Sequence, residues 1–445
     1  MTLSEIAETL REIRVSPVKS LGQNFLHDQN LARWIVDQVD LKSTDFVVEI
    51  GPGLGALTEL LADRAGGVLA LEKDGRLVEF LRTRFKSGPV EVRHMDAMDF
   101  DVRDLYAKAN AKLVANLPYY LSSQLLMKFL NWPSPISMAV LMLQREMAQR
   151  LTASPGTKDY GALTLFIQLH YSAELLRKIP ASVFIPRPEV DSAVVRLRPR
   201  PSQELPACNF KAFHELVRLG FSQRRKQLGK LLRDYLPDWP KAAARLGLDP
   251  QIRAERLNLH QWIALTNLAR PTPQPDPSQS QSEMFPVVDE SDRVIRAAPR
   301  GEVHGNNLRH RAVHILLFNA QNEVFLQKRS RWKDRHPLVW DSSAAGHVDA
   351  GEEYEHAARR ELQEELGLET ALTPLVRLPA SEQTGQEFIW LYTGVWDAPI
   401  AFDPVEIEAG EYFPSGIVTA WIDARPGDFA PGFVECWKAW LTRPR

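Results

Sequence analysis

The residues with the most distinctive chemistry in this chain are Asn116, Leu117, Pro118 and Tyr119. The exocyclic amino group of a nucleobase is a poor nucleophile, because its lone pair is delocalised into the ring. An enzyme that alkylates it must accept hydrogen bonds from the amino hydrogens. The side-chain carbonyl of Asn116 can accept one, and the turn at Leu117 and Pro118, where proline fixes φ, can direct a backbone carbonyl to the same atom. Tyr119 offers a ring for an unstacked base. An ordinary turn after a strand would use the same residues, so the neighbouring motifs must decide.

A second set of reactive residues lies in the segment GHVDAGEEYEHAARRELQEELGL at 346–368. Glu361, Glu364 and Glu365 stand at i, i+3 and i+4, and therefore on one face of a helix. Three clustered carboxylates repel one another unless a cation neutralises them, and hard oxygen ligands select Mg²⁺ or Mn²⁺. Such a metal would bridge a diphosphate and activate water for attack on phosphorus. A solvated Glu/Arg helix is the plain alternative.

The elements that must position the first set alternate between strands and helices. Short apolar runs predict strands at 45–50, 67–72, 90–96, 111–119 and 137–144. Helical spacing at 57–65 follows the first of them. This alternation predicts a doubly wound, largely parallel sheet of the Rossmann-like α/β class.

Polar residues follow the ends of four of these strands. The glycine loop EIGPGLG (49–55) opens a helix, where backbone amides favour a polar or anionic ligand. Glu72 ends the second strand, where an acid binds ribose hydroxyls. A glycine loop and this acid would suit a nicotinamide dehydrogenase equally well. Asp96, which can meet an adenine amino group, and Asn116 favour S-adenosylmethionine instead.

The rest of the chain divides at a segment rich in Pro, Ser and Gln. Before it, Leu/Ala/Arg periodicity indicates a small all-α domain. After it, strands at 312–319, 323–329 and 387–396 with a charged helix at 353–366 indicate an α+β module. We therefore predict a catalytic domain at 1–203, a helical domain at 204–268, a linker at 269–284 and a second enzyme domain at 285–445.

Charge is distributed unevenly between the two parts. Residues 1–270 carry 37 Lys+Arg and 29 Asp+Glu, whereas residues 271–445 carry 17 and 27. A basic first part indicates a polyanionic partner such as nucleic acid. In FSQRRKQLGK (221–230), Arg224, Arg225 and Lys226 are predicted on one helical stretch, suited to RNA phosphates. A solvated helix face is the alternative.

Cysteine content and the N-terminal segment bear on the compartment. Only Cys208 and Cys436 are present, without metal-binding spacing, which fits a reducing environment. The start carries charges throughout, and no long apolar stretch indicates a membrane span. We expect a cytoplasmic protein with no membrane partner.

Several motifs in the first part occur in the order of a known family. They are SLGQNFLHD (20–28), EIGPGLG (49–55), the Asp96 turn, ANLPYYLSS (115–123), MLQREMAQRL (142–151), DYGALTLFIQ (159–168), FIPRPEVDSAVVRL (184–197) and FSQRRKQL (221–228). About residues 10–268 thus resemble the KsgA/RsmA family of ribosomal RNA adenine dimethyltransferases. Many members have a proline where this chain has Arg187, a change compatible with a loop that faces RNA.

This resemblance implies a reaction and a set of site residues. The reaction is N6,N6-dimethylation of two adjacent adenosines in the 3′-terminal hairpin of small-subunit (16S) rRNA, with a role in late ribosome assembly. Phe184 would stack the target base opposite Tyr119. The residues implied to line the S-adenosylmethionine site are Asn24, Leu26, Gly51, Gly53, Glu72, Asp96 and Asn116.

The second part resembles the Nudix family over about residues 285–440. Every fixed position of the Nudix box is filled, including Gly346, Glu352 and Arg360, and Arg360 can brace the carboxylates through Glu352. The surroundings look like the subgroup related to isopentenyl-diphosphate isomerase. Isomerases need a cysteine in the strand before the box, and WDSSAAG has none. Hydrolysis of a nucleoside-linked or other X-linked diphosphate is therefore expected.

Three points stay open at the level of sequence. A fourth acidic ligand could be Glu387, Glu406 or Glu411. The Nudix part could be a ligand-binding regulatory module rather than a hydrolase. The whole chain could be a non-catalytic ribosome assembly factor, although Asn116 and Tyr119 argue against that. The preferred prediction is a bifunctional dimethyltransferase and Nudix hydrolase.

Overall fold

The computed structural model describes residues 3–17, 23–271, 282–403 and 405–443. The chain divides into two compact units, Met1–Pro271 and Thr272–Arg445. Most of the predicted linker, residues 272–281, lies outside the described residues, as do residues 20–22 of the SLGQNFLHD motif. Within the described ranges, no helix has both the length and the apolar character needed to cross a membrane.

The described part of the first unit contains a seven-stranded sheet and a short two-stranded one. The strands are β1 (Phe25–Leu26), β2 (Phe46–Ile50), β3 (Gly67–Glu72), β4 (Val90–His94), β5 (Ala111–Asn116), β6 (Ile136–Gln144), β7 (Tyr171–Ile179), β8 (Phe184–Ile185) and β9 (Ser192–Pro199). The large sheet has the order β4-β3-β2-β5-β6-β9-β7, and β1 pairs with β8.

The five predicted strands are present as β2 to β6 and pair in parallel. Parallel strands are covered on both faces, which explains why they appear in the sequence as continuous apolar runs. We predicted no strand at β7 or β9, which extend the sheet antiparallel to β6. In β7 only the two ends, Tyr171 and Ile179, are buried, so its sequence lacks a regular pattern.

Helices cover both faces of this sheet and form a separate group after it. They are α1 (Leu3–Glu12), α2 (Gln29–Asp37), α3 (Thr58–Ala62), α4 (Gly75–Arg84), α5 (Ser122–Phe129), α6 (Arg145–Leu151), α7 (Ala162–His170), α8 (Phe210–Phe221), α9 (Leu228–Leu231), α10 (Trp239–Arg245) and α11 (Leu259–Ala269). The predicted helical segment corresponds to α8 to α11. Its core includes Phe213, Leu216 and Trp262, all fully buried.

The second unit has a hairpin and a mixed seven-stranded sheet among its described residues. Its strands are β10 (Met284–Val288), β11 (Val294–Pro299), β12 (His310–Phe318), β13 (Glu323–Arg329), β14 (Trp340–Asp341), β15 (Ala344–His347), β16 (Thr373–Leu378), β17 (Glu387–Val395) and β18 (Ile407–Pro414). Its helices are α12 (Arg300–Gly305), α13 (Tyr354–Leu366), α14 (Ser415–Ala424) and α15 (Pro431–Thr442).

The consecutive strands β12 and β13 of the second unit do not form a regular hairpin. β12 and β13 pair only next to their turn, at Phe318 and Val324, and β13 pairs along its length with β18 instead. β12 runs parallel to β17 and antiparallel to β15. Helix α13 buries Ala357, Ala358 and Leu362 against this sheet. Glu361 and Glu365 follow Ala357 at i+4 and i+8 and so lie on this same side of the helix, where Glu365 is buried as well.

Candidate functional site

The glycine loop after β2 forms one wall of a cavity at the carboxyl ends of the parallel strands. Gly51 and Gly53 have φ of +67° and +59°, in the region that favours glycine. A Cβ on Gly53 would lie 3.0 Å from the ring of Phe25, so the loop has no room for a side chain. The loop can thus approach a ligand with its backbone. Of the predicted cofactor residues, the cavity wall contains Asn24, Gly51, Gly53, Glu72, Asp96 and Asn116.

Glu72, at the end of β3, is fixed by backbone N–H groups. Its Oε1 accepts from Lys73 and Asp74, each at 2.9 Å, and its Oε2 accepts from Gly53 at 3.3 Å. Burial raises the pKa of Glu72, and these N–H groups oppose the rise. The carboxyl group is therefore held in one orientation at the cavity wall.

Asp96 follows β4 and forms an ion pair with Lys73, a partner that sequence reasoning missed. Its Oδ2 accepts from Lys73 Nζ at 2.7 Å, and its Oδ1 accepts from the N–H of Met98 at 2.9 Å. The Lys73 hydrogen bond and the Met98 hydrogen bond lower the pKa of Asp96. An ionised Asp96 can accept a further hydrogen bond from an amino group.

Asn116 ends β5, the central strand beside β2. Its Nδ2 donates to the backbone carbonyl of Asn24 at 3.2 Å, which leaves the side-chain carbonyl as the group for an amino donor. Leu117 is buried, and its N–H donates to Met142 at 3.1 Å. The carbonyl of Pro118 accepts from Leu121 N–H and from the Ser122 hydroxyl, each at 3.1 Å. The turn is therefore fixed from both sides.

In the second unit, Arg360 binds carboxylates on helix α13, which we call the Nudix helix. It donates to Glu352 (2.9 and 3.1 Å), to Glu361 (2.8 Å) and to Glu364 (3.1 Å). A Cβ on Gly346 would lie 2.0 Å from Cδ of Glu361, so only glycine leaves space for that carboxylate. The predicted residues Gly346, Glu352, Arg360, Glu361 and Glu364 thus meet in one cluster.

Glu365 lies deeper than the other two carboxylates of the helix. It is 2% exposed, and its Oε2 accepts from Gln327 Nε2 at 2.9 Å and from Ala345 N–H at 3.1 Å. Burial raises the pKa of both Glu361 and Glu365, and in Glu361 the neighbouring charge of Glu365 adds to the rise. Two buried carboxyl groups that disfavour joint ionisation are suited to a divalent cation, which would compensate both charges.

Comparison with known proteins follows the division into two units. The family model of ribosomal RNA adenine dimethylase matches residues 16–270, more than half of the chain. The chain belongs to the ribosomal RNA adenine dimethylase family. The NUDIX domain model matches residues 308–428, so the chain also carries a NUDIX domain.

Curated relatives match the first unit of the chain over nearly their full length. Ribosomal RNA small subunit methyltransferase A of Geobacillus kaustophilus is 41% identical over 277 residues, which are 59% of this chain and 94% of the relative. The protein of that name from Halothermothrix orenii is 38% identical over 275 residues, 58% of this chain and 90% of the relative. A crystal structure of a dimethyladenosine transferase from Plasmodium falciparum is 27% identical, with a TM-score of 0.46 over 54% of this chain and 95% of that chain.

Four predicted site residues of the first unit, Leu26, Leu117, Tyr119 and Phe184, do not line the main cavity. Leu26 lines a small neighbouring cavity together with Asn24 and Asn116. Tyr119 is half-buried, and its hydroxyl hydrogen-bonds with that of Ser192 at 2.7 Å. Phe184 is 2% exposed and packs in the core beside Leu26, so its ring presents no face to a base in this arrangement. Its stacking role stays a prediction that requires the ring to become accessible.

Tyr120 was missed by sequence reasoning although it follows Tyr119 directly. Its side chain is 51% exposed and lines the cavity wall with Pro118 and Leu125. The signal available in the sequence was the doubled tyrosine in NLPYY.

The predicted helical placement of Arg224, Arg225 and Lys226 is wrong. Helix α8 ends at Phe221 and α9 begins at Leu228, and the three cations lie in the exposed turn between them. The helix stops because the N–H and the hydroxyl of Ser222 both donate to the Leu219 carbonyl. Arg224 lines a wide groove that also contains Arg145, Arg150 and Lys158 together with the acidic residues Glu146, Asp159 and Asp191.

A histidine cluster in the NUDIX-containing unit was also missed. His304, His310 and His347 each offer a ring nitrogen, and these atoms lie within 4.8 Å of one another. Glu387 Oε1 is 3.5 Å from His310 Nε2 and 3.4 Å from His347 Nε2. Burial lowers the pKa of His347 to about 3, so its imidazole is neutral near pH 7. Because His304 and His347 lie 43 residues apart in the sequence, their spacing gave no signal of a common site.

Proposed function

We propose that the first unit transfers methyl groups from S-adenosylmethionine to N6 of two adjacent adenosines in the 3′-terminal hairpin of small-subunit rRNA, in ribosome biogenesis. The observation that carries this proposal is the meeting of Gly51, Glu72, Asp96 and Asn116 at one cavity, at the ends of four neighbouring parallel strands. Open α/β sheets bind ligands at the carboxyl ends of their strands. The family membership supports RNA adenine as the substrate class.

The residues present fit such a cofactor and such a base. S-adenosylmethionine supplies a methyl group that its sulfonium already activates. Glu72 would accept hydrogen bonds from ribose hydroxyls and Asp96 from the adenine amino group. The side-chain carbonyl of Asn116 would accept from the target amino group and direct its lone pair toward the methyl carbon. The protein thus contributes orientation and electrostatic stabilisation, and the amino proton can leave after attack.

A methyl-transfer assay on small ribosomal subunits that lack the modification tests this proposal. We expect Asn116→Ala to reduce methyl incorporation at least about 100-fold, in line with the loss of a positioned polar group. S-adenosylmethionine binding, measured separately by calorimetry, should change much less. Equal labelling by wild type and Asn116→Ala would contradict the assignment. Tight subunit binding by a wild type that incorporates no methyl group would favour a non-catalytic assembly factor.

We propose further that the second unit hydrolyses a nucleoside-linked or other X-linked diphosphate with Mg²⁺ or Mn²⁺. The supporting observation is the buried pair Glu361 and Glu365 with raised pKa values, beside Gly346 and Arg360. Glu361, Glu364 and Glu365 would hold the ion. When bound there, such an ion would supply Lewis-acid activation of the diphosphate and of a water molecule.

Screening the full chain against a panel of diphosphate compounds with Mg²⁺ tests the hydrolase. Glu364→Gln and Glu365→Gln should abolish hydrolysis, whereas methyl transfer should be unchanged because the two sets of residues lie in different units. Hydrolysis that survives both substitutions would contradict the site. A diphosphate that binds without turnover and alters the methylation rate would favour a regulatory module instead.

The histidine cluster favours a second ion site of different chemistry in the same unit. Imidazole ligands suit zinc and other transition metals, whereas carboxylates suit Mg²⁺. His310 Nδ1 contacts the Leu308 carbonyl at 2.9 Å and His304 Nδ1 contacts Asp334 at 3.2 Å. These contacts direct the other ring nitrogens toward the cluster, an arrangement typical of metal-binding histidines. We infer that His304, His310, His347 and Glu387 bind such an ion.

A further inference from the structure

The structure distinguishes among the three glutamates that could supply a carboxylate from outside the Nudix helix. Glu387 faces the imidazoles of His310 and His347, at 3.5 and 3.4 Å, and so belongs to the histidine cluster. Glu411 lies in the middle of β18, where it pairs with Leu326 of β13. Glu406 precedes β18, and it shares a cation with a carboxylate of the helix.

That shared cation is Lys333. Its Nζ contacts Oε2 of Glu406 and lies 3.5 Å from Oε1 of Glu365. The Lys333 side chain is 16% exposed and that of Glu365 is 3% exposed, so the contact is largely shielded from water. The ammonium group of Lys333 thus lies between a Nudix carboxylate and Glu406.

The backbone fixes this arrangement independently of the side chains. The N–H of Asp403 donates to the carbonyl of Glu365 at 3.0 Å, which ties the segment before β18 to the end of the Nudix helix. The N–H of Ser330 donates to the carbonyl of Glu406 at 3.0 Å, and the N–H of Lys333 donates to the carbonyl of Ser330 at 3.3 Å. Glu406 and Lys333 are therefore held at Glu365 by main-chain contacts.

A second, independent observation concerns the wall around Glu365. Gln327 is 1% exposed, and its Nε2 donates to Oε2 of Glu365 at 2.9 Å. The carbonyl oxygen of the same amide is buried and has no hydrogen-bond partner among the described residues. Buried acceptors without a donor are rare, since each costs free energy. An oxygen-rich wall with a spare acceptor suits a hydrated hard cation.

We propose that Glu406 is the carboxylate outside the Nudix helix that completes the divalent-ion site with Glu361, Glu364 and Glu365, and that Lys333 is an internal cation which the ion displaces. This inference rests on the proposed hydrolase function. When the ion binds, the ammonium group leaves the two carboxylates and binds oxygens of the substrate diphosphate. Lys333 is thus a positioning residue in the ion-free protein and a substrate-binding residue in the loaded one.

This exchange has a thermodynamic consequence. Because Lys333 competes with the ion for the same carboxylates, its charge weakens ion binding in the absence of substrate. A diphosphate that binds the ammonium group removes this competition, so the ion and the diphosphate favour each other's binding, and linkage makes the effect reciprocal. Protein without a diphosphate therefore binds Mg²⁺ weakly.

Calorimetric titration of the full chain with Mg²⁺ alone tests the proposal. We expect Lys333→Met to bind Mg²⁺ about fivefold or more tightly than wild type, because the competing charge is gone. Glu406→Gln should bind about tenfold more weakly. Glu411→Gln, a matched control of the same residue type on the adjoining strand, should stay within about twofold. The double variant Lys333→Met/Glu406→Gln should bind more weakly than Lys333→Met, which separates loss of the competitor from loss of the ligand.

Thermal unfolding of each variant identifies any that fail to fold, and Lys333→Gln then replaces Lys333→Met. Unchanged or weaker Mg²⁺ binding by a folded Lys333 variant would overturn the competition. Wild-type affinity in Glu406→Gln, with weakened binding in Glu411→Gln, would overturn the ligand assignment. The expected affinities without hydrolysis of any diphosphate would support this inference and contradict the hydrolase. Diphosphate hydrolysis by wild type, with Mg²⁺ affinities that are the same in all variants, would support the hydrolase and contradict this inference.

Discussion

The substitution Gly346→Ala tests the architecture of the Nudix site with the smallest possible change. The added Cβ would lie 2.0 Å from Cδ of Glu361 and 2.2 and 2.3 Å from its two carboxylate oxygens. Ordinary Cβ contacts begin at 3.4 Å, so the carboxyl group must move by more than 1 Å. That movement also breaks its 2.8 Å hydrogen bond with Arg360. A misplacement of about 1 Å at a catalytic group costs about 100-fold in rate.

We therefore expect Gly346→Ala to reduce Mg²⁺-dependent diphosphate hydrolysis by about 100-fold, while methyl transfer by the same preparation stays at the wild-type rate. Gly416→Ala is the matched control, because its Cβ would meet no atom within 4 Å and its φ is ordinary. It should hydrolyse at the wild-type rate. A Gly346→Ala protein that retains more than about a third of wild-type hydrolysis would refute the placement of Glu361.

Three further predictions concern other residues. Tyr119→Phe, which loses only the contact with Ser192, should keep most methyl transfer, whereas Tyr119→Ala should lose it; equal effects would exclude a stacking role. Burial raises the pKa of Glu49 from 4.5 to about 8, so the folded state holds this proton more tightly than the unfolded state. The free energy of unfolding of the first unit should therefore fall, by about 1–5 kcal/mol, as pH rises from 4.5 to 8. Glu49→Gln should flatten that slope in denaturant titrations, and a slope unchanged from wild type would assign it to other groups. His347→Ala should abolish stoichiometric Zn²⁺ binding, measured by metal analysis after dialysis, and full Zn²⁺ retention would contradict the site.

The positions of the parallel strands in the first unit could be predicted largely from sequence, and the reason is physical. Parallel strands covered on both faces must be apolar throughout, so β2 to β6 appear as continuous runs with polar residues at their ends. Those end positions, Glu72, Asp96 and Asn116, were found for the same reason. Strand β7 is an antiparallel edge with exposed Arg177 and Lys178, and its sequence carries no such pattern.

Contacts between residues distant in sequence could not be predicted. Lys73 is adjacent to Glu72, yet its bond with Asp96 depends on β3 and β4 being neighbours in the sheet. Lys333 reaches Glu365 from a turn after β13, and nothing in the local sequence marks it as a partner. The Nudix helix, in contrast, could be predicted well because its chemistry is encoded by spacing within one turn of helix.

The central claim is that one chain carries a dimethyladenosine site and a separate diphosphate site. The most direct measurement supplies labelled S-adenosylmethionine and small ribosomal subunits that lack the modification, and maps the product by nuclease digestion and mass spectrometry. Wild type and Glu364→Gln should both place two methyl groups on each of two adjacent adenosines in the 3′-terminal hairpin, and Asn116→Ala should place none. No dimethyladenosine with wild type, or methyl groups on another base, would contradict the account.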